Sequence, residues 1–253
     1  MNEKSNDCEK ITCSNCAEAN NLEFDFSMAF QPIINCNTSL VYGYEALVRG
    51  INGESAYSII SKVNEENRYA FDQLCRIKAI KLASELGINS MLSINFLPNA
   101  IYKPERCIRT TLEAAKKYNF PIQNIMFEFT EVEKIDDTAH IKRVVDYYQS
   151  LGFKTAADDF GAGYSGLNLL ADFQTDIIKL DMALIRDINH DTKRQLIVTH
   201  CLNMFRDLNI TALAEGIETV EEYVWLKHAG VELMQGYLFA KPGFECLPNV
   251  NLK

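Results

Sequence analysis

Short apolar segments alternate with amphipathic segments along most of the chain, and this alternation limits the possible folds more than any other feature. Eight segments are short, apolar and rich in β-branched or aromatic residues, as buried strands are. The predicted strands are Met28–Ile34, Leu40–Val48, Met91–Phe96, Ile125–Thr130, Lys154–Phe160, Asp176–Leu180, Ile210–Glu215 and Glu232–Phe239. Strand–helix alternation implies a parallel sheet, and a chain of 253 residues has the length that a closed eight-stranded barrel needs, about 250 residues.

Helical patterns separate most of these strands, but not the first two. The predicted helices are Tyr69–Leu86, Arg106–Tyr118, Ala139–Leu151, Lys193–Leu208 and Glu221–His228. Only the link around Asn35–Ser39 joins the first two strands, whereas a parallel pair needs a connection of about a dozen residues. We therefore predict an α/β fold, a TIM-like (β/α)8 barrel whose first strand is antiparallel to the rest.

The amino-terminal part of the chain differs from the remainder. Residues 1–24 are polar and lack periodicity, which predicts a flexible tail ahead of one domain at residues 25–253. Cys8, Cys13 and Cys16 cluster in this tail with the spacing C-x4-C-x2-C. They are interpreted either as part of a metal or redox site, completed by Cys36 or a second chain, or as incidental thiols of the tail.

Charge and hydropathy exclude some classes of function. The net charge of −9 would repel a polyanion, so we expect no binding to a DNA or RNA polymer. No apolar run approaches the roughly 20 residues that a membrane span requires, and the first ten residues lack the apolar stretch of a signal peptide. These observations predict a cytoplasmic protein.

Polar side chains interrupt the apolar strands close to their carboxyl ends. The candidate site residues are Glu45, Asn95, Glu128, Asp158, Asp159, Lys179, Glu215 and Gln235. In a barrel the carboxyl ends of parallel strands meet at one mouth, where active sites of TIM barrels lie. Five carboxylates and one lysine at one mouth would carry a large negative charge. Because all the candidate ligands are oxygen donors, we expect hard divalent ions such as Mg2+ or Mn2+ there.

The segment DFGAGYSG follows the adjacent aspartates directly. Gly161 and Gly163 make its backbone permissive, which favours an active-site loop over a plain turn. Two adjacent carboxylates at a strand end also suit a site with two metal ions, which can activate water and stabilise the leaving oxygen of a phosphodiester.

Several of these segments together resemble the EAL domain family. The resemblance covers roughly Phe26–Pro248 and keeps the order of the family's motifs. The matching segments are YEALVRG, SINFLPN, FEFTE, ADDFGAGYSGL, DIIKLD, ALAEGIET and QGYLFAKP. It implies a phosphodiesterase that hydrolyses cyclic di-GMP to linear pGpG with two Mg2+ or Mn2+ ions, that Ca2+ inhibits, and that forms a homodimer. The segment Asp176–Asp187 and the helix after it are candidates for the dimer interface.

The resemblance also assigns roles to individual residues. It implies that Glu45, Asn95, Glu128 and Asp158 hold one metal ion and that Asp158, Asp159 and Glu215 hold the second. The remaining roles that it implies are Lys179 and Gln235 at the attacking water, Gln31, Leu47 and Arg49 at the substrate, Glu131 as anchor of the loop after the aspartates, and Glu218 as support behind the ligands. The loop reads GAGYSG where the family often has GTGYSS, and FEFTE replaces the commoner LEITE, but no ligand position is lost.

Two alternatives remain open from the sequence. A member of this family can be a catalytically silent receptor for cyclic di-GMP or a protein-binding module. A different metal enzyme on the same barrel, such as an enolase-like lyase, would need a base aimed at a carbon acid beside the metal, and only Lys179 is available for that role.

Overall fold

The computed structural model describes residues 22–97, 100–101, 103–130, 138–162 and 166–251. The elements of this part of the chain are β1 (Ser27–Asn35), β2 (Leu40–Arg49), α1 (Ala56–Ile60), α2 (Arg68–Glu85), β3 (Met91–Asn95), α3 (Pro104–Lys117), β4 (Ile125–Thr130), α4 (Thr138–Ser150), β5 (Lys154–Phe160), α5 (Gly166–Asp172), β6 (Ile177–Leu180), α6 (Met182–Ile185), α7 (Thr192–Asp207), β7 (Thr211–Ala214), α8 (Val220–Ala229), β8 (Leu233–Met234) and β9 (Gly243–Phe244). A short 3-10 helix, Ile122–Asn124, precedes β4.

The strands form one closed sheet. Its order is β2-β3-β4-β5-β6-β7-β8-β1-β9, and an additional pairing between β1 and β2 closes the barrel. Strands β2 to β8 pair in parallel, whereas β1 is antiparallel to both β2 and β8. The predicted barrel with a reversed first strand is thereby confirmed. Strand β9, which the sequence did not predict, pairs with β1 outside the barrel.

The predicted strands agree with the observed ones except at the end of the barrel. The predicted bounds of β4 and β5 match the observed ones, but the predicted strand Glu232–Phe239 is too long. Only Leu233–Met234 joins the sheet, because the chain then turns toward Ile217, which donates from its backbone N–H to the carbonyl of Gln235 at 3.2 Å. The carbonyl of Ile217 in turn accepts from Leu238, 3.0 Å away.

The barrel has a small inner core and a much larger core between the sheet and the helices. The inner core consists of six side chains that are at most 2% exposed: Ile33, Met126, Ala156, Ile177, Leu213 and Leu233. The outer core includes the next residue of several strands, for example Phe127, Ala157 and Ile178. Side chains of a strand alternate between its two faces, so the residue two positions beyond each inner-core residue points into the barrel again.

Helix α2 buries polar as well as apolar side chains. Phe71 and Cys75 are buried, and so are the polar residues Asp72, Gln73 and Arg76. In the part of the chain that the structure covers, no helix is both long enough and apolar enough to cross a bilayer.

Candidate metal centre at the barrel mouth

Strand alternation explains why the site residues share one location. Glu128 follows the inner-core residue Met126 by two positions, and the same step leads to Asp158, Lys179, Glu215 and Gln235 on the next four strands. Because these strands are parallel and adjacent, the step moves each side chain toward the same end of the barrel. The inner core therefore forms a floor beneath a ring of polar groups.

Asp159 joins this ring through a break in the regular strand. Alternation alone would direct Asp158 inward and Asp159 outward. The pairing of β5 with β6 shifts register between Ala157 and Phe160, and Asp159 has a left-handed backbone with φ of 58°. Such a bulge turns the chain locally, and both carboxylates face the same site.

Two trios of carboxylates share one residue. One oxygen from each of Glu45, Glu128 and Asp158 lies within 4.8 Å of the others, and the same holds for Asp158, Asp159 and Glu215. Asp158 belongs to both trios, so the structure brings together all five acidic residues that the sequence predicted. The two trios are the arrangement that a pair of neighbouring cations with one bridging carboxylate requires.

Lys179 lies among four of these carboxylates. Its Nζ is 2.7 Å from Oε2 of Glu128 and 2.8 Å from Oε1 of Glu215. It lies 3.3 Å from Oδ2 of Asp158 and 3.6 Å from Oε2 of Glu45. The side chain is only 1% exposed, and these four carboxylates raise its pKa well above the usual value, against the effect of burial. Lys179 therefore carries a positive charge that offsets part of the acidic cluster.

Two amides orient the carboxylate of Glu45. Asn95 donates from Nδ2 to Oε1 at 3.0 Å, and Gln235 donates from Nε2 to Oε2 at 2.8 Å. Asn95 ends β3 in register with Glu128 on β4, so its position follows directly from the strand pairing. The hydroxyl of Ser93, which the sequence did not single out, donates to Oε1 of Glu128.

Burial makes the acidic cluster unfavourable on its own. It raises the pKa of Glu128 to about 8, opposed by Lys179 and assisted by the charges of Glu45 and Asp158. Burial also raises the pKa of Glu215 well above its usual value, and that of Asp159 less strongly, with Asp158 adding to both shifts. One ammonium does not neutralise five carboxylates, and divalent cations would remove the excess negative charge.

The donor set fits hard divalent ions. All candidate ligands are carboxylate or amide oxygens, with no histidine or cysteine in either trio. Mg2+ and Mn2+ prefer such ligands, whereas nitrogen and sulfur ligands favour zinc. Hence the residues present at the mouth match the metal chemistry that the sequence predicted.

The three predicted substrate residues, Leu47, Arg49 and Gln31, make different contacts near the acidic cluster. Leu47 lines a cleft of about 660 Å³ that also contacts Glu45, Asn95 and Asp158. Arg49 is half-buried, and its Nη1 donates to the carbonyl of Val48 at 2.7 Å.

Gln31 pairs in register with Glu45 across the antiparallel strands and donates from Nε2 to the carbonyl of Ala240 at 3.4 Å. The far wall of the cleft, formed by residues such as Ile60, Val63 and Arg68, was not predicted. This wall belongs to α1, the start of α2 and the link between them, and it contains no strand in which a polar residue could mark a site.

Of the remaining predicted site residues, Gly161 and Glu218 belong to the described part of the chain. Gly161 follows the bulge and has φ of 100°, a conformation that glycine adopts without strain. A Cβ at this position would lie 2.4 Å from Cδ1 of Leu184. The carboxylate of Glu218 pairs with Arg186, with Nη1 and Oε2 2.8 Å apart, and its supporting role behind the ligands stays a prediction. Glu131 and Gly163 lie outside the described residues.

The leader cysteines Cys8, Cys13 and Cys16 also lie outside the described residues. Cys36, proposed as their fourth ligand, is buried at 2% exposure. Burial raises the pKa of its thiol to about 11, which disfavours the thiolate that a metal ion binds.

The fold and the mouth define a TIM-like barrel protein with an acidic centre suited to divalent cations. The family model of the EAL domain matches residues 18–242, and the chain belongs to this family. The solved structure of a standalone versatile EAL protein from Vibrio cholerae O395, in its c-di-GMP-bound form, is similar with 71% identity and a TM-score of 0.89. The similarity covers 91% of this chain and 98% of that chain.

Other relatives are more distant. BlrP1 from Klebsiella pneumoniae, in a manganese/cy-diGMP complex, is 36% identical with a TM-score of 0.82 over 87% of this chain and 56% of its own. The blue light- and temperature-regulated antirepressor BluF of Escherichia coli is 30% identical over 88% of this chain and 55% of its own length. The cyclic di-GMP phosphodiesterase PA2567 of Pseudomonas aeruginosa is 28% identical over 89% of this chain and 40% of its own. The chain thus spans about half the length of these curated relatives.

Proposed function

We propose that the chain is a phosphodiesterase that hydrolyses one phosphodiester bond of cyclic di-GMP to give linear pGpG, with two Mg2+ or Mn2+ ions. The observation that carries the proposal is the pair of carboxylate trios that share Asp158. The relative with 71% identity is known in a c-di-GMP-bound form, and PA2567 is a cyclic di-GMP phosphodiesterase. Both support the choice of substrate.

The ligands divide between two positions. Glu45, Asn95, Glu128 and Asp158 would hold one ion, and Asp158, Asp159 and Glu215 would hold the other. When bound, the two ions lower the pKa of the attacking water and neutralise the oxygens of the scissile phosphate. The protein's own contribution is to hold the five carboxylates in place before the substrate binds. Four strands supply them, and the bulge in β5 turns Asp159 toward the site.

Two further side chains act on the water and the leaving group. Lys179 is held in place by four carboxylates, so its ammonium can orient the attacking water and stabilise negative charge that develops on the phosphate. The Oε1 atom of Gln235 is buried without a hydrogen-bond partner among the described atoms, while Nε2 is held by Glu45. This oxygen is free to accept a hydrogen bond from the attacking water.

Substrate binding uses the cleft beside the first trio. Leu47 and the apolar side chains of α1 line the cleft and would contact a guanine base. Arg49 and Gln31, which do not line the cleft itself, would offer polar contacts to phosphate or base. The net charge of −9 leaves a small phosphate ester dependent on the cations for its attraction to the site. The same charge disfavours a DNA or RNA polymer.

The relationship to BluF favours one alternative, namely a module that binds a partner or cyclic di-GMP without turnover. Product formation distinguishes the two. Purified chain is incubated with cyclic di-GMP and Mg2+, Mn2+, Ca2+ or EDTA, and the nucleotides are separated by chromatography. We expect pGpG with Mg2+ or Mn2+, and none with EDTA or Ca2+.

A pair of variants identifies the site responsible. Glu45→Ala removes a ligand of the first trio and is expected to abolish pGpG formation. Glu85→Ala removes an exposed carboxylate at the end of α2, paired with Lys81, and is expected to leave turnover intact. Binding of cyclic di-GMP by the wild type without any pGpG would refute the enzyme and favour the silent receptor. An unchanged rate in Lys179→Ala would show that the role of this lysine is wrongly assigned.

We further propose a cytoplasmic homodimer. The segment Asp176–Asp187 and α7 carry exposed apolar side chains, Met182, Leu196 and Ile197, which suit an interface between two copies. Light scattering coupled to size-exclusion chromatography measures the mass in solution. A monomer at all concentrations would refute the dimer without affecting the proposed activity.

A further inference from the structure

A fully buried ion pair lies behind the metal centre, on the outer side of the barrel. Nη2 of Arg76 is 2.7 Å from Oδ2 of Asp72, one helical turn earlier on α2, and the two side chains are 0% and 1% exposed. Taking two charges out of water is unfavourable, and apolar residues of similar volume are often as stable or more stable. Stability alone therefore does not account for this pair.

The acidic partner holds the segment that follows a candidate ligand. Oδ1 of Asp72 accepts a hydrogen bond from the backbone N–H of Leu97 at 3.0 Å. Leu97 lies two residues beyond Asn95, where β3 has ended and no strand pairing fixes the backbone. Asp72 also lines the cleft together with Asn95 and Leu97. The carboxylate thus fixes the backbone at the point where the amide of Asn95 enters the site.

The basic partner packs against the two strands that carry Asn95 and Glu128. The guanidinium of Arg76 lies 5.8 Å from the ring centre of Phe96 and 5.1 Å from that of Phe127. Phe96 follows Asn95, and Phe127 precedes Glu128. Because side chains alternate along a strand, these rings face the helices while the ligands face the barrel interior.

Further contacts complete this arrangement. Nη1 of Arg76 donates to the hydroxyl of Tyr148 on α4 at 3.2 Å. The backbone N–H of Phe96 donates to the carbonyl of Glu128 at 2.9 Å, and Asn95 and Glu128 are partners in the register of β3 and β4. Arg76 therefore contacts the residue next to each ligand, Phe96 beside Asn95 and Phe127 beside Glu128. Through these contacts it connects β3 and β4 to its own helix α2 and to α4.

We propose that Asp72 and Arg76 are positioning residues that set the relative placement of Asn95 and Glu128 for the first metal ion. This inference rests on the proposed metal-dependent function and adds to it a pair that touches neither metal nor substrate phosphate. Partners behind metal ligands of this kind govern metal affinity by orienting the ligands. The pair thus acts on the first ion through Asn95 and Glu128, neither of which is assigned to the second ion.

The test is direct measurement of Mn2+ binding. The double variant Asp72→Leu/Arg76→Met replaces the ion pair by apolar side chains of similar volume, so it is expected to fold with a melting temperature close to that of the wild type. We expect its affinity for one of the two ions to fall about 10- to 100-fold, measured by titration calorimetry and by the electron paramagnetic resonance of free Mn2+. Raising the Mn2+ concentration by the same factor should restore turnover.

Single variants and a remote control separate positioning from general damage. Asp72→Asn leaves a buried guanidinium without its counter-charge and is expected to be less stable, so the double variant decides the outcome. Asp176→Asn disrupts a polar cluster at the opposite end of the barrel and is expected to bind Mn2+ as the wild type does. A folded double variant with wild-type Mn2+ affinity would overturn the inference and leave the proposed function intact. A wild type that binds no Mn2+ would overturn both.

Discussion

Gln235 donates a hydrogen bond from Nε2 to Oε2 of Glu45, 2.8 Å away, although 190 residues separate them in sequence. Gln235 follows β8 and Glu45 lies on β2, and β1 runs between these two strands in the sheet. The bond therefore crosses the reversed strand at the seam of the barrel. It joins the first candidate ligand of the chain to the last residue of the site.

This bond predicts the effect of removing the amide. Gln235→Ala leaves Oε2 of Glu45 without its neutral donor and removes the acceptor for the attacking water, so we expect turnover to fall about 10- to 100-fold. Gln235→Glu adds a like charge beside Glu45, and we expect its turnover to be lower than that of Gln235→Ala. Initial rates at saturating Mn2+ measure both variants. Gln174→Ala, whose amide binds the carbonyl of Leu170 away from the mouth, is the control, and equal losses in all three would contradict the assignment.

Strand periodicity accounts for how much of the site could be predicted from the sequence. Glu128, Asp158, Lys179, Glu215 and Gln235 each interrupt an apolar strand, and parallel strands carry such residues to one mouth. The period of two then directs them all inward. The barrel and its reversed strand followed from the same pattern and from the short link between the first two strands.

The missed features depend on contacts between segments that are distant in the chain. Asp72 and Arg76 lie on a helix whose apolar pattern alone suggested a plain packing face, and only the placement of Leu97 and Tyr148 gives them partners. The inward turn of Asp159 requires a bulge that no residue pattern marks. The early end of β8 follows from the backbone of Ile217, which competes for the hydrogen bonds of the next residues.

Gly236 tests that explanation of β8. A Cβ at this position would lie 2.0 Å from the carbonyl oxygen of Ile217 and 2.4 Å from its nitrogen, and backbone atoms cannot move aside as a flexible side chain can. Gly236→Ala is therefore expected to destabilise the protein by about 1–3 kcal/mol and to displace Gln235 from Glu45. Urea unfolding measures the free energy, and kinetics measures turnover. Wild-type stability and rate together would show that the close approach to Ile217 has no energetic consequence.

Asp176 predicts a pH-dependent part of the stability. Hydrogen bonds from Lys154, the backbone of Thr155 and Gln149 hold its pKa below the usual 3.8, against the opposing effect of burial. A carboxylate with a depressed pKa stabilises the fold above its unfolded pKa, and this contribution is lost as the pH falls through the folded value. Asp176→Asn should be less stable than the wild type by about 1–2 kcal/mol near neutral pH.

The difference between Asp176→Asn and the wild type should begin to shrink below pH 3.8, where Asp176 of the unfolded chain takes up a proton, and should be lost as the pH falls through the lower pKa of the folded protein. Urea unfolding from about pH 7 to about pH 3 measures it. Asp146→Asn removes the partner of Lys142 on the exposed face of α4, a type of ion pair worth less than about 1 kcal/mol, and serves as the control. A difference that persisted unchanged at low pH would rule out the carboxylate as its source.

Lys179 predicts a stability change that metal ions reverse. Lys179→Met removes the ammonium among four carboxylates, and uncompensated buried charge destabilises a protein by about 3–5 kcal/mol. We expect a large loss of melting temperature in EDTA and a small one in Mn2+, because cations replace the missing charge. Turnover should remain at least about 100-fold low even with Mn2+, since the lysine also acts on the reacting water. Lys154→Met removes an ion pair far from the mouth, and its loss of melting temperature should be the same in EDTA and in Mn2+. An equal loss in EDTA and Mn2+ for Lys179→Met would contradict a cation site around this side chain.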